Sequence, residues 1–446
     1  MPAAAGGGST SGFAPLRVRD YRLLLYGLIA SSAMMPLQFV TQIFWIQDAV
    51  GAGAQIVLVG LVGTMRGLGA LTFGLYGGAL ADRFDRRRLL MVTQTVGIVL
   101  NLSVAAVMWW SDGDPWGLVA FFVLTFLASG TFAIDLPTRQ AMVPEILGPR
   151  LLPAGISLNT AAGQIAMPVS LFASGMLIEA LGFAGAYALS GAALAFEVLM
   201  LALMRFEPEA RAVREGAYGV RAMLDDVREG VRYTRGNPTV LWIIVLMVGM
   251  MSLGFPAVAN LGPTWITTVV GVSVRNFGII AVTWGLGAFV TSLAMARFSD
   301  YPRKGLLLSL GAAAFAAGFA IFAFPSIPTA VTGNLILGVG MTMSQVSATT
   351  LVQLIVPNEV RGRVMSLLQL NMGFAQLITF PLAAIGQAIS LEVLFPILAA
   401  SVSFLVLAIV SRQRKLLAGA SMGREGSMPH AAATMASPPE EPQPTG

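Results

Sequence analysis

Long apolar runs divided by short polar breaks dominate this chain. They predict an all-α membrane protein of about twelve transmembrane helices, because each run approaches the ~20 residues that cross ~30 Å of hydrocarbon. The first six lie near Leu23–Ile46, Ile56–Leu80, Leu89–Trp110, Gly117–Leu136, Ala154–Ile178 and Phe183–Met204. The second six lie near Val240–Leu261, Phe277–Ala296, Gly305–Phe324, Thr329–Val352, Val364–Ile389 and Leu391–Val410. The arginines and lysines fall in the N-terminal arm, alternate breaks and the C-terminal tail, with two exceptions, Arg66 and Arg275. Positive charge stays on the cytoplasmic side of a membrane protein, so both termini are expected in the cytoplasm. Trp109, Trp110, Trp116 and Trp265 stand at expected helix ends, where interfacial anchors belong.

The longest break, 205–239, separates the two sets. Within it Val220, Met223, Leu224, Val227 and Val231 recur at helical spacing, which predicts an amphipathic surface helix. The expected organisation is an arm (1–22), a six-helix half (23–204), a central cytoplasmic loop (205–239), a second six-helix half (240–411) and a disordered tail (412–446). Residues Met1 to Phe13 are small and polar and do not read as a signal peptide.

Composition narrows the chemistry. Of 446 residues, 56% are hydrophobic and 11% charged, against about a quarter charged in soluble chains. The net charge of +5 sits next to helix ends, where anionic headgroups lie, and does not point to nucleic acid. There is no cysteine, and the one histidine, His430, is in the tail. Thiol chemistry and clustered metal ligation have no material here, and no metal, cofactor or enzymatic activity is expected. Neither lysine stands in a phosphate-loop context, which argues against a primary pump.

The halves repeat. Asp82-Arg83 corresponds to Asp300, Val143-Pro144-Glu145 to Val356-Pro357 and Glu359, Asn159 to Asn371, and Pro168 to Pro381, at offsets between 212 and 218 residues. Duplicated halves around a central site are a common plan of secondary transporters. The stretch from Gly78 through Asp82, Arg83 and Asp85 to Arg86 and Arg87 resembles the signature loop of the major facilitator superfamily, G-x-L-x-D-R-x-G-R-R/K, with Asp85 replacing its second glycine. Asp tolerates left-handed turns, so the turn is expected to survive. The opening Phe13 to Arg22, Pro144-Glu145 running to Asn159, and Val356 to Ser366 resemble the macrolide-efflux and enterobactin-exporter branch of the drug–proton antiporters. The helix-five antiporter pattern is present only as Gly163, Pro168 and Gly175, with Met167 where glycine is expected. The resemblance implies pseudo-symmetric halves and a gating network at Gly78, Asp82, Arg83, Arg86 and Arg87.

Candidate chemistry is sparse. Asp135 and Arg139 are four apart on one helix face, near the expected inner end of helix four. They read either as a proton-titrating pair or as an ion pair snorkelling to water. Glu197 is the next intramembrane acid; a proton-coupled carrier needs such a group. Arg66 lies ~15 Å into helix two, at 1.5 Å per residue. It must face a polar cavity or pair with an acid, and Glu197, Asp48 and Asp135 are the acids on offer. Gln38, Gln42 and Trp45 share a face of helix one below Pro36, and Met251, Phe255, Asn260, Gln345 and Gln376 complete the expected substrate cavity. Gly63 with Gly67, and Gly74 with Gly78, allow close helix approach.

These features point to a monomeric secondary transporter. It would export amphipathic small molecules in exchange for protons, with the bilayer and the substrate as its partners. The alternative is a uniporter or a carrier of lysolipids or other metabolites with the same fold.

Overall fold

The computed structural model describes residues 13–205, 220–297 and 301–412; side chains at 75–79, 81–83, 136, 220–227, 358–359, 366 and 369–372 are outside that description. The expectations for the extreme arm, for Asp300 and for the tail with His430 lie outside the described residues.

All regular structure among the described residues is helical. Helix α1 is Arg19–Ala49 and runs through Pro36 unbroken; α2 is Gln55–Arg83 and α3 is Arg86–Trp110. A helical run over Pro115–Leu203 is broken where Gly148 (φ 65°) and Gly182 (φ 68°) adopt left-handed backbone. A Cβ at either glycine would meet nothing within 4 Å, so backbone conformation rather than space requires glycine there. The breaks give α4 (115–147), α5 (149–181) and α6 (183–203). Asp114 caps α4, accepting from the Ser111 hydroxyl (2.6 Å) and the Gly117 N–H (3.1 Å), and these donors hold its carboxyl below the usual range.

The surface helix α7 is Val220–Gly236 and α8 is Pro238–Val269. Then follow α9 (Val274–Arg297), α10 (Lys304–Phe322), α11 (Ile327–Ile355), α12 (Asn358–Ile389) and α13 (Leu391–Arg412). The outer surface is lipid-like: Phe404 and Leu407 on α13 are 75% and 68% exposed, a placement for hydrocarbon rather than water.

Four sequence expectations change. Helix four does not end at Leu136 but continues through Pro137 and Pro144, so Arg139 is not a loop cation; it is 3% exposed within the bundle. Helix seven does not stop at Leu261. It extends as π-helix over Pro256–Leu261 and Trp265–Val269, where Pro256 and Pro263 deny the ordinary ladder its donors. Trp265 is therefore no interfacial anchor. It is fully buried, stacked on Phe395 at 4.5 Å, with its Nε1 donating to the Phe322 carbonyl (3.1 Å). Trp109, Trp110 and Trp116 are exposed as expected. Lastly, Asp85 has φ −55° and needs no left-handed turn; it caps α3 by accepting from the Arg88 N–H at 2.7 Å.

Helices α1–α6 meet α8–α13 mainly through two close pairs. On α2, a Cβ at Gly60 would stand 2.2 Å from the Ala383 Cβ of α12, and one at Gly67 would stand 2.6 Å from that of Gln376. Gly63 faces Asn260, whereas Gly74 has room, so the first of the two expected small-residue faces makes the crossing. Between α5 and α9, Cβ atoms at Gly175 and Gly278 would each come within 2.2 Å of a backbone carbonyl on the facing helix. Hydrogen bonds add to the α2–α12 contact, from the Ile56 N–H to Gln387 (3.0 Å) and from Thr64 to the Gln376 carbonyl (3.2 Å), and join α1 to α8, where Gln47 donates to Thr264 (2.8 Å). Arg275, one of the two exceptional arginines, pairs with Glu179 at 3.3 Å, both exposed. Among the described residues these links lie from the middle of the bundle to the end opposite the Asp82–Arg88 loop.

Candidate functional site

Between the two sets of helices lies a cavity with two lobes that share Met35, Arg66, Phe132, Phe255 and Gln376. The larger lobe is about 440 Å³ and apolar, lined by Phe39, Met167, Phe255, Trp284, Met341 and their neighbours. The smaller, about 280 Å³, holds most of the polar side chains: Gln38, Gln42, Gln94, Asn101, Asp135 and Tyr187. Small-molecule pockets run to roughly 300–1,000 Å³, apolar with a few placed polar groups, and this cavity has that character.

The polar groups form a chain of contacts inside helices α1–α6. Gln38 Nε2 donates to Asn101 Oδ1 (2.9 Å), and Gln42 Nε2 to Thr125 (3.1 Å) and Tyr187 (2.9 Å). Gln42 Oε1 in turn accepts from Arg66 Nη1 (3.1 Å). The Arg66 guanidinium lies 5.2 Å from the Phe39 ring centroid, a cation–π position. Among the described residues Arg66 has no ion-pair partner; none of Glu197, Asp48 or Asp135 pairs with it. It faces the cavity instead.

Those acids serve another arginine. Arg139 pairs with Asp135 (3.0 Å) one helical turn away and with Glu197 of α6. Gln94 of α3 donates to both acids, at 2.7 Å to Asp135 and 3.2 Å to Glu197. Asp135, Arg139 and Glu197 are 4%, 3% and 0% exposed, which excludes an ion pair snorkelling to water. Two carboxylates against one guanidinium leave one negative charge uncompensated away from water. Glu197 Oε2 and Arg139 Nη1 are buried without a hydrogen-bond partner among the described residues. Asp135 and Gln94 open onto the smaller lobe, so the cluster adjoins the space a ligand would fill.

In helices α8–α13, Asn260 on the π-helical stretch donates to Gln376 (2.6 Å) and Thr379 (2.7 Å), while its own Oδ1 is buried and unpartnered. The π-turn aims that amide at the cavity. Of the sequence-predicted cavity residues, Gln38, Gln42, Arg66, Phe255, Asn260 and Gln376 line it. Trp45 and Met251 do not: both are core residues, Trp45 against Phe121 at 4.7 Å. Gln345 lies outside the lining of both lobes. Gln94, Asn101, Tyr187 and Trp284 were not anticipated. Gln94 and Asn101 carried a signal, being seven apart on one face of an otherwise apolar helix.

Of the signature loop, the Asp82 and Arg83 side chains lie outside the described residues, as does the surround of Gly78. Arg86 bonds the Ala141 carbonyl (3.0 Å) and Glu145 (2.5 Å), and Arg87 the carbonyls of Leu201 (2.8 Å) and Ala202 (2.9 Å). Arg86 thus ties the start of α3 to the end of α4, and Arg87 ties it to the end of α6.

A polytopic helical bundle with a central, mostly apolar cavity and isolated buried charges defines a membrane carrier for small molecules rather than an enzyme. The sequence profile of the Major Facilitator Superfamily matches residues 23–379 and 246–427, and the chain belongs to that superfamily. It is a multi-pass secondary transporter. It is 26% identical over 358 residues to the enterobactin exporters EntS of Shigella boydii serotype 4 (strain Sb227) and Escherichia coli O1:K1, covering 78% of each chain. Solved structures with the same fold include a variant of the nucleoside transporter NupG (TM-score 0.70, 14% identity, 89% of this chain and 99% of that one). A D-xylose–proton symporter is also similar (TM-score 0.64, 13% identity, 88% and 96%).

Proposed function

We propose that the protein exports amphipathic small molecules by alternating access, exchanging them for protons taken up by the Asp135–Arg139–Glu197 cluster. The observation that carries this reading is the position of the cluster. Its net negative charge is buried, yet Asp135 and Gln94 border the cavity. A ligand in the smaller lobe changes the solvation of that charge, and a proton on Glu197 or Asp135 changes what the lobe accepts. Each therefore shifts the affinity for the other, which is the linkage antiport needs. The arginine-rich end is assigned to the cytoplasm by the positive-inside rule. With the opposite end sealed, the cavity is then placed to load from the cytoplasm or the inner leaflet. Export, and a siderophore-like or drug-like cargo, are favoured by the likeness to enterobactin exporters.

The test uses everted membrane vesicles carrying a proton gradient, challenged in turn with macrolides, cationic dyes and catecholate siderophores. Wild-type protein should dissipate the gradient when its substrate is added. Glu197→Gln and Asp135→Asn should each abolish that response while leaving substrate binding measurable. Undiminished proton-driven transport in the double variant would remove the cluster from the mechanism. No proton movement with any compound, despite substrate flux, would make the protein a uniporter.

A further inference from the structure

We infer that the substrate carries an acidic group, a carboxylate or an acidic phenol, which is held by Arg66 while its apolar body fills the larger lobe. This rests on the reading of the cavity as a transport site and adds the chemical class of its cargo.

Arg66 is the one charged side chain among the described residues that line the larger lobe. An arginine deep in a membrane-spanning helix is costly unless something answers it, and a structural arginine is answered by an acid. Among the described residues the two acids inside helices α1–α6, Asp135 and Glu197, are both committed to Arg139. What Arg66 has instead is neutral: one hydrogen bond to Gln42 and the face of Phe39. A guanidinium presents five N–H donors in a planar fork, and a single one is used here. The remaining donors open onto the junction of the two lobes. The partner that this geometry lacks is a planar anion able to accept two parallel N–H bonds.

The rest of the space states the remainder of the ligand. Beyond Arg66 the lobe is lined mainly by apolar side chains such as Met35, Phe39, Phe255, Trp284 and Met341, with Asn260, Asn334 and Gln376 as neutral polar contacts. That is a bed for a flat or flexible apolar body of drug size. In the larger lobe, whose lining includes Arg66 and no acid, a lipophilic cation meets only like charge, whereas the cluster's carboxylate borders the smaller lobe. An inside-negative membrane potential also drives an anion outward, so the charge Arg66 selects is the charge export favours.

The experiment is ligand-induced thermal stabilisation of the purified full-length protein. The probes are naphthyl, biphenyl and anthracenyl carboxylic acids, their primary amides, and the matching arylmethylamines. Wild-type protein should rank acids above amides by about tenfold or more in affinity, the worth of a charge-assisted hydrogen bond, with the amines not binding. Arg66→Gln should bring the acids down to the amides, and Arg66→Lys should keep part of the preference. Acids and amides binding equally, no acid binding, or an acid preference surviving Arg66→Gln would each overturn the inference. Because the wild-type ranking needs no variant, a misfolded Arg66→Gln does not spare it. The proton assay in vesicles decides the transport reading separately: gradient dissipation by neutral compounds with no acid preference sinks this inference alone.

Discussion

Arg139 is the residue on which the buried cluster turns. It stands against Asp135 and Glu197 where water does not reach, so removing it leaves two carboxylates facing each other. Breaking a buried pair from one side costs about 3–5 kcal/mol, far more than the pair contributes over an apolar substitute. Arg139→Gln should therefore lower thermal stability sharply. Adding Glu197→Gln should recover much of the loss, since the double variant buries one less charge. Thermal unfolding of the two single variants and the double variant in one detergent measures the coupling; additive losses would mean the contact is not energetically shared. Which charges are buried was only partly legible in the sequence. Glu197 and Asp135 stood out as acids in apolar runs. Asp135 and Arg139 read as a pair on one helix face, but whether that pair met water at the inner end of helix four or lay inside the bundle was not legible.

At the scale of elements, α2 crosses α12 at close range beside the cavity, and the proposed cycle makes this crossing the closed end. Gly60 and Gly67 let the two helices approach until a Cβ has no place. Gly60→Leu should force them apart and bias the molecule toward the alternative with this end open, because a shape change that only one state tolerates shifts the population toward the other. The chain has no cysteine, so the variants Gln47→Cys and Thr264→Cys form a clean reporter across this end. Oxidative cross-linking should be efficient in that background and fall several-fold when Gly60→Leu is added; unchanged cross-linking would show that the crossing does not control closure. The small-residue spacing on α2 was visible in the sequence. Which of its two faces makes the crossing was not, since Gly63–Gly67 and Gly74–Gly78 read alike. The π-helical stretch of α8 was also hidden, because Pro256 and Pro263 read equally well as a helix end.

At the scale of the whole molecule, the links between the two sets of helices among the described residues run from mid-bundle to the end away from the arginines, and the proposed export cycle requires the cavity to open toward the arginine-rich end. Met35 lines both lobes and is 42% exposed. Met35→Cys should react with a membrane-impermeant maleimide added to everted vesicles and resist it in right-side-out cells; bound substrate should slow the reaction. Equal labelling from both sides would mean that the closed end does not seal.

The sequence by itself determined the class. Segment length, the absence of cysteine, the alternation of arginines and the near-constant repeat offset are properties of one chain in a bilayer, and they are set locally by the need to satisfy backbone polar groups in hydrocarbon. It also named most of the polar side chains that matter, because charge and amide groups inside apolar runs are few. Only the tertiary structure decided how they are shared. Helix packing gave both acids to Arg139 through Gln94 and left Arg66 with a neutral partner at the cavity wall. That choice depends on which faces of α2, α3, α4 and α6 meet, and helical periodicity in a segment apolar all round does not specify a face.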